Sequence, residues 1–384
     1  MVSRVDRSRV SEWWWTIDRY LLFTLLFLLA SGVVLSFAAS PAVAERIGAG
    51  TYHFVQRQAF FAVPAAFTLV AISMLTPKQV RSTAFMLYGV MLLLTIATLF
   101  FGAEVKGSRR WLNLAGMSVQ PTEFLKPAFV ILIAFALSEG AKRTGLPGKA
   151  IAAFLLAMTL APVVAQPDLG QAMLLSITWC AMIFLAGLPW IFTVVLAALG
   201  ASGLAGAYFV FPHVAGRINR FLDPGSGDTF QVDTAMDSFA AGGWFGVGPG
   251  EGSMKQILPD AHTDFVFAVT AEEFGILACM LLVSLFGFII LRGLRHARDE
   301  PDPFVRLATS GLVILFGVQA SINMAVNLHL MPAKGMTLPF ISYGGSSLVA
   351  IALEMGFVLA LTRRRPRIDA PFRPIVMTRR ERTA

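Results

Sequence analysis

The run Leu258-Pro-Asp-Ala-His262-Thr263-Asp264-Phe ends in a carboxylate placed where a long apolar stretch begins. An aspartate at such a point has two uses. It caps the helix that follows by accepting backbone N–H groups, or it acts on a bound ligand as an acid–base group. The segments that would face it are basic. Lys106-Gly-Ser-Arg109-Arg110-Trp111-Leu-Asn gathers three cations, an aromatic ring and an amide, a set suited to a phosphate-bearing ligand at a membrane edge. Gln120-Pro-Thr-Glu123-Phe-Leu-Lys126-Pro follows, with a Glu/Lys pair three residues apart that could equally neutralise itself on one helix face. Arg217-Ile-Asn-Arg220 and Lys255 flank a glycine-rich run from Gly242 to Ser253. Its glycines either admit a ligand close to the backbone or leave the segment mobile. The last group is Met331-Pro-Ala-Lys334-Gly-Met-Thr-Leu-Pro-Phe-Ile-Ser342-Tyr-Gly-Gly-Ser346-Ser347.

Other polar residues lie inside apolar runs. Glu272 and Glu273 fall roughly 80° and 180° around a helix from Asp264. At least one must point into protein, where pairing with a buried cation is a better use than direct chemistry. Glu354 sits in the last apolar run and Asp168 in the turn Gln166-Pro-Asp-Leu-Gly. Gln319, Asn323 and Asn327, each four apart, share one helix face and suit interhelical hydrogen bonds.

The elements that must position these groups follow from composition. Of 384 residues, 56% are hydrophobic and 14% charged, against about 25% charged in a soluble domain. Disordered chains, coiled coils and ordinary water-soluble enzymes are excluded. Ten stretches approach the about 20 apolar residues that cross a bilayer: 19–39, 58–76, 82–102, 123–139, 149–166, 170–187, 189–211, 264–291, 304–327 and 340–362. Lipid supplies no hydrogen-bond partners, so these spans are helices. The expected fold is an all-α polytopic membrane protein of about ten transmembrane helices. A cytoplasmic segment 1–18 precedes the membrane domain 19–362, whose large extracytoplasmic loop, 212–263, lies between helices 7 and 8. A basic cytoplasmic tail, 363–384, follows.

Of the 31 basic residues, 21 fall on the face that carries both termini, which the positive-inside rule assigns to the cytoplasm. The first span then serves as a signal anchor, and Trp13, Trp14 and Trp15 beside it as an interfacial anchor. The net charge of +8 reports topology on such an apolar chain and does not call for nucleic acid. Ten cations oppose the rule, and most of them belong to the loops around Asp264. Cys180 and Cys279 lie in apolar runs, which excludes a disulfide scaffold or a thiolate zinc site. No P-loop, GxGxxG, HExxH or GxSxG is present.

Taken together, Lys106-Gly-Ser-Arg-Arg-Trp, Gln120-Pro-Thr-Glu-Phe-Leu-Lys-Pro, Gln166-Pro-Asp-Leu-Gly, Pro259-Asp-Ala-His-Thr-Asp-Phe and Pro339-Phe-Ile-Ser-Tyr-Gly-Gly-Ser resemble the SEDS family of peptidoglycan glycosyltransferases over nearly the whole chain. Lys334-Gly-Met-Thr-Leu-Pro is similar to the division (FtsW-like) branch rather than the elongation (RodA-like) branch. Glu354 has no counterpart in the family pattern. The resemblance implies polymerisation of lipid II, a disaccharide-pentapeptide on undecaprenyl pyrophosphate, during septal wall synthesis, with a lipid II flippase as the alternative. It implies Asp264 as the catalytic base. Substrate would be bound by Lys106, Arg109, Arg110, Trp111, Arg217, Lys255, His262, Thr263, Lys334 and Ser342. A divalent cation (Mg or Mn) could bridge the pyrophosphate, though no ligand set is readable. It also implies location in the bacterial inner membrane at the septum. The implied partners are a class B penicillin-binding protein transpeptidase (FtsI-like), a division regulatory complex (FtsQLB-like, FtsN-like) and membrane lipids.

Overall fold

The computed structural model describes residues 8–46, 48–105, 108–114, 116–143, 145–210, 215–216, 219, 230–332 and 335–364. Each expected span is a helix. A short α1 (Arg9–Thr16) precedes α2 (Arg19–Ala39); α3 (Pro41–Arg46) is a single turn and a half before α4 (His53–Ser73) and α5 (Pro77–Phe101). Then come α6 (Pro121–Lys142), α7 (Gly148–Ala165), α8 (Leu169–Leu185) and α9 (Trp190–Val210). In the large loop lie α10 (Phe230–Gly242) and α11 (Met254–Ile257), followed by α12 (Val266–Asp299), α13 (Pro303–Asn327) and α14 (Gly345–Leu361). Among the described residues, seven helices are at least 18 residues long and apolar enough to cross a membrane. The helices α8 and α14, 17 residues each, are shorter versions of the same kind.

Local sequence sets the helix starts. Asp18 accepts from the amide of Leu21 to cap α2, and Thr76 with Gln79 forms a reciprocal capping box ahead of Pro77 on α5. Asp302 caps α13, where proline occupies the first helical position. Burial then sorts the helices. The apolar stretches of α6 and α13 are 72% and 78% buried, whereas those of α4, α5, α7 and α12 are 22–28% buried and turn phenylalanine and leucine outward. The bundle is thus built on three central helices, α6, α13 and the almost wholly buried α14, wrapped by peripheral ones, with α4 packed on α14, and α12 and α8 on α13. Thr16, Met74, Lys142, Asp302 and Arg363 gather at one end: Arg363 donates to Met74 O and Thr16 Oγ1, and Lys142 lies 3.9 Å from Asp302. The turn at 258–265 lies at the other end, where Arg46 donates to Leu258 O.

Two features depart from the sequence reading. Three short strands, β1 (Ala103–Val105), β2 (Ser108–Leu114) and β3 (Met117–Val119), form an antiparallel meander, and the other regular elements among the described residues are helices. Trp13 is also more than an interfacial anchor: it is buried, and its indole N–H donates to Ser73 Oγ.

The long α12 is broken. Gly275 has φ 79°, and the glycine-rich run after α10 enters the gap. The amides of Val247 and Gly248 donate to the carbonyls of Glu272 and Glu273, while those of Ile276 and Leu277 donate to Gly243 and Trp244. Backbone groups orphaned by the break are therefore satisfied in trans, as an apolar environment demands. Only glycine fits such an approach. A methyl group at Gly242 would lie 1.9 Å from the carbonyl oxygen of Ala271. The glycines admit a close backbone neighbour, and that neighbour is the chain's own helix.

Candidate active site

Asp264 does not cap α12. The cap position is Phe265, and no side chain caps it. The chain instead turns at Asp260, φ 53°, whose carbonyl accepts from the amides of Thr263 and Asp264 at 3.0 Å each and from Thr263 Oγ1. The half-buried Asp264 is fixed through its backbone, since its carbonyl accepts from Asn323 Nδ2 at 3.0 Å and Asn327 Nδ2 at 2.8 Å. Asn327 Oδ1 in turn accepts from the amide of Ala268, and Asn323 Nδ2 also donates to Met336 O. Two buried amides on one face of α13 thus tie the turn, the start of α12 and the 335–337 segment together. The carboxylate faces that segment: a methyl group at Gly335 would lie 3.5 Å from Asp264 Oδ2.

One turn away along α13, Gln319 joins a second polar layer. The Lys126 ammonium, 1% exposed, donates to Glu123 Oε2 at 2.9 Å and to Gln319 Oε1 at 2.8 Å. Glu123 Oε1 accepts from Gln171 Nε2 at 2.7 Å. Gln319 Nε2 donates to Thr337 O, and Thr337 shares a hydrogen bond with Ser347. The rim is closed by Asp168, which caps Gln171 and pairs with Arg110 at 3.2 Å. Burial pushes the Asp168 carboxyl above its ordinary value despite Arg110. Buried charges in this layer are paired and hydrogen-bonded, the condition under which they are tolerable.

The expected ligand-binding residues divide. Arg109 and Arg110 are neighbours on β2, and strand neighbours point to opposite faces. Arg109 is half exposed in a loose 3.3 Å pair with Glu104, so it remains able to turn to a ligand. Arg110 points inward, held by Asp168 and by Pro167 O. Trp111 is half-buried opposite Ala103 on the meander. Lys255 is turned away from any ligand: it is buried, and its ammonium pairs with Glu273 and donates to Gly250 O. Glu272 accepts from the amides of Met254 and Lys255. These two glutamates therefore pin the glycine-rich segment to α12, and Lys255 is a strut. Because Asp264 precedes the helix, the helical angles that relate it to Glu272 and Glu273 do not apply.

The His262 ring packs against both Phe54 and Tyr343 in a three-ring cluster, centroids 4.5 and 5.3 Å away and tilted, and its carbonyl accepts from the amide of Tyr343. Burial lowers its pKa to about 4, with Asp260 pulling the other way. The imidazole is neutral at physiological pH. Ser342 is buried and accepts from the amide of Leu338, shaping the turn before α14. Lys106, Arg217 and Lys334 lie outside the described residues. Glu354 is buried in α14, and its Oε1 has no hydrogen-bond partner among the described residues. Gln171 was not singled out by sequence, where it is one ordinary polar residue beside an apolar run; Thr337 and Ser347 stood only as members of quoted motifs, with no partner assigned. Among the described residues, no three carboxylate, imidazole or thiolate groups come close enough together to hold a metal ion.

Comparison with known proteins gives this geometry its context. A protein of Caulobacter vibrioides, named probable peptidoglycan glycosyltransferase FtsW, is 45% identical over 95% of this chain and 94% of its own. One of Hydrogenovibrio crunogenus with the same name is 34% identical over 90% and 91%. Among solved structures, a chain from a peptidoglycan synthase complex that coordinates polymerization and crosslinking superposes with TM-score 0.77 at 29% identity, covering 90% of this chain and 97% of that one. The rod shape determining protein RodA of Thermus thermophilus superposes with TM-score 0.67 at 29% identity, covering 91% and 97%. The family model for cell cycle proteins of the FtsW, RodA and SpoVE type matches residues 19–366. With its apolar spans and this match, the chain is a multi-pass membrane protein that belongs to the FtsW/RodA/SpoVE family.

Proposed function

We propose that this chain is a peptidoglycan glycosyltransferase of the division type, polymerising lipid II into glycan strands during septal wall synthesis. The activity is supported by the names of relatives that align with at least 90% of the chain. The site assignment is carried by one observation: the Asp264 backbone is clamped by Asn323 and Asn327 so that its carboxylate faces the 335–337 segment. A clamped backbone fixes where a carboxylate can act, and positioning is most of what a general base needs.

In this reading the Asp264 carboxylate takes the proton from the 4-hydroxyl of the acceptor sugar as that oxygen attacks C1 of the donor. The C1–oxygen bond to the donor's pyrophosphate breaks, and its electron pair leaves with undecaprenyl pyrophosphate, inverting C1. A sugar hydroxyl is a poor nucleophile at neutral pH, so the base contributes roughly 10²–10⁴-fold. Lys106, Arg109 and Lys334 would stabilise the departing charge, with Arg217 and Trp111 on the ligand. Arg110, His262, Thr263 and Ser342 shape the walls. A Mg or Mn ion, if used, would be held chiefly by the substrate's own oxygens.

The chain would sit in the bacterial inner membrane at the septum with both termini cytoplasmic. It would work beside a class B penicillin-binding protein of the FtsI type and regulators of the FtsQLB and FtsN types, a reading supported by the peptidoglycan synthase complex to which one similar structure belongs. A flippase is the second reading, and the buried Glu123–Lys126–Gln319 layer favours it because intramembrane charges mark transport paths. Purified protein given lipid II in detergent separates the two. Glycan chains on a gel support the polymerase; lipid II left intact, alongside protein-dependent transfer between vesicle leaflets, would favour transport.

A further inference from the structure

At the end that gathers Thr16, Met74 and Arg363, away from Asp264, the last turns of α12 and Arg364, three residues beyond α14, enclose a cleft of about 330 Å³ lined by Arg292, Arg295, His296 and Arg364, with Phe288 and Leu291 on its apolar side. Its cations are held differently. Arg292 and His296 both bond to the buried Asp18, each at 2.6 Å. Burial opposes ionisation of Asp18, but the hydrogen bonds from His296 and Arg292 outweigh it and keep the carboxyl well below the usual carboxylate range. Asp18 thus serves as the fixed counter-charge that orients one wall. Arg295 and Arg364 are exposed and make no ion pair among the described residues. The one acid in the lining, Asp299, lies against Arg298 at 3.4 Å.

An independent feature sets the depth of this cleft. Arg292 stacks over Tyr20 at 4.8 Å and Phe288 at 5.7 Å, and Arg19 over Trp14 at 5.2 Å and Trp15 at 5.0 Å. Tyr20 is 70% exposed and Leu291 60% exposed, so apolar surface faces outward just beside the cations. Aromatic rings with arginines at helix ends mark the headgroup level of a bilayer. A basic pocket at that level, with apolar surface on its membrane side, has the chemistry of a phosphate headgroup carrying acyl chains. The chain's own tail is a poor occupant, because residues 365–384 hold six arginines against two acids.

We propose that this cleft binds the phosphate of an anionic phospholipid, with Arg295 and Arg364 as the two arginines that grip it. The test uses full-length protein in a neutral detergent, titrated with dioleoyl phosphatidylglycerol or phosphatidylcholine and read by native mass spectrometry. One phosphatidylglycerol should stay bound to the wild type in preference to phosphatidylcholine, and Arg295→Ala/Arg364→Ala should weaken it roughly thirty-fold. Neither side chain has an ion-pair partner to strand, so the double variant should melt with the wild type in lipid-free detergent. Equal retention by wild type and variant, or equal affinity for the two lipids, would overturn the proposal. Displacement of the lipid by millimolar inorganic phosphate would overturn it in favour of a soluble phosphate ligand.

Discussion

Lys126 shows how much a residue's role depends on depth that sequence does not print. Counted along the chain, it joins the cations that oppose the orientation rule. Folded, it lies 1% exposed on α6 with its ammonium between Glu123 and Gln319. Removing only the cation leaves a buried carboxylate with Gln171 as its remaining partner. Lys126→Met should therefore cost about 3–5 kcal/mol, and Glu123→Gln/Lys126→Met distinctly less; thermal unfolding in detergent measures both, and equal losses would count against the pairing. Arg109 and Arg110 make the same point in another way. Adjacent in sequence, they read as one cluster, but the strand sends one outward and the other to Asp168. His262 adds a pH signature. Its folded pKa of about 4 lies below the ordinary imidazole value of about 6.5, so the neutral ring is the form that the fold favours. That contribution is complete above pH 6.5 and is lost as pH falls through 4. Wild type should lose more thermal stability between pH 6.5 and 4 than His262→Phe; parallel losses would contradict the assignment.

At the scale of elements, the spans were legible because ten apolar runs leave few other possibilities in a bilayer. Two devices were not. The meander at 103–119 is too short for a period-2 pattern to stand out. The break in α12 was hidden because its satisfying partners come from about thirty residues upstream, so the glycines of 242–252 read equally as ligand-approach or mobile sequence. What the break requires is testable. Gly275 has φ 79°, and a methyl group there would lie 2.3 Å from Trp244 O. Gly275→Ala should lose about 3 kcal/mol or more and open the 242–252 segment to protease. Gly287, on the same helix with nothing within 4 Å of an added methyl, supplies the control. Gly287→Ala should be neutral or slightly stabilising, and equal effects at the two positions would remove the clamp from the account.

For the whole molecule, we propose that the charge split in the sequence assigns the sides, with 21 of the 31 basic residues on the face read as cytoplasmic and the other ten toward the face of Asp264. Cysteine substitutions in a Cys180→Ala/Cys279→Ala background should show it. Glu251→Cys should react with a membrane-impermeant maleimide on intact spheroplasts, and Lys78→Cys only after lysis; the reverse pattern would invert the topology. The general location of the site was legible for the same reason, since cations against the rule need an anionic ligand or a buried acid to justify them. Which of the two each one had was not, because partners such as Asp168, Glu273 and Gln319 are distant in sequence. The clamped Asp264 remains the centre of the account, and lipid II polymerisation by purified wild type and Asp264→Asn tests it most directly. The variant should melt with the wild type yet make glycan at least about 100-fold more slowly; a variant polymerising at the wild-type rate would contradict the assignment of Asp264 as the catalytic base.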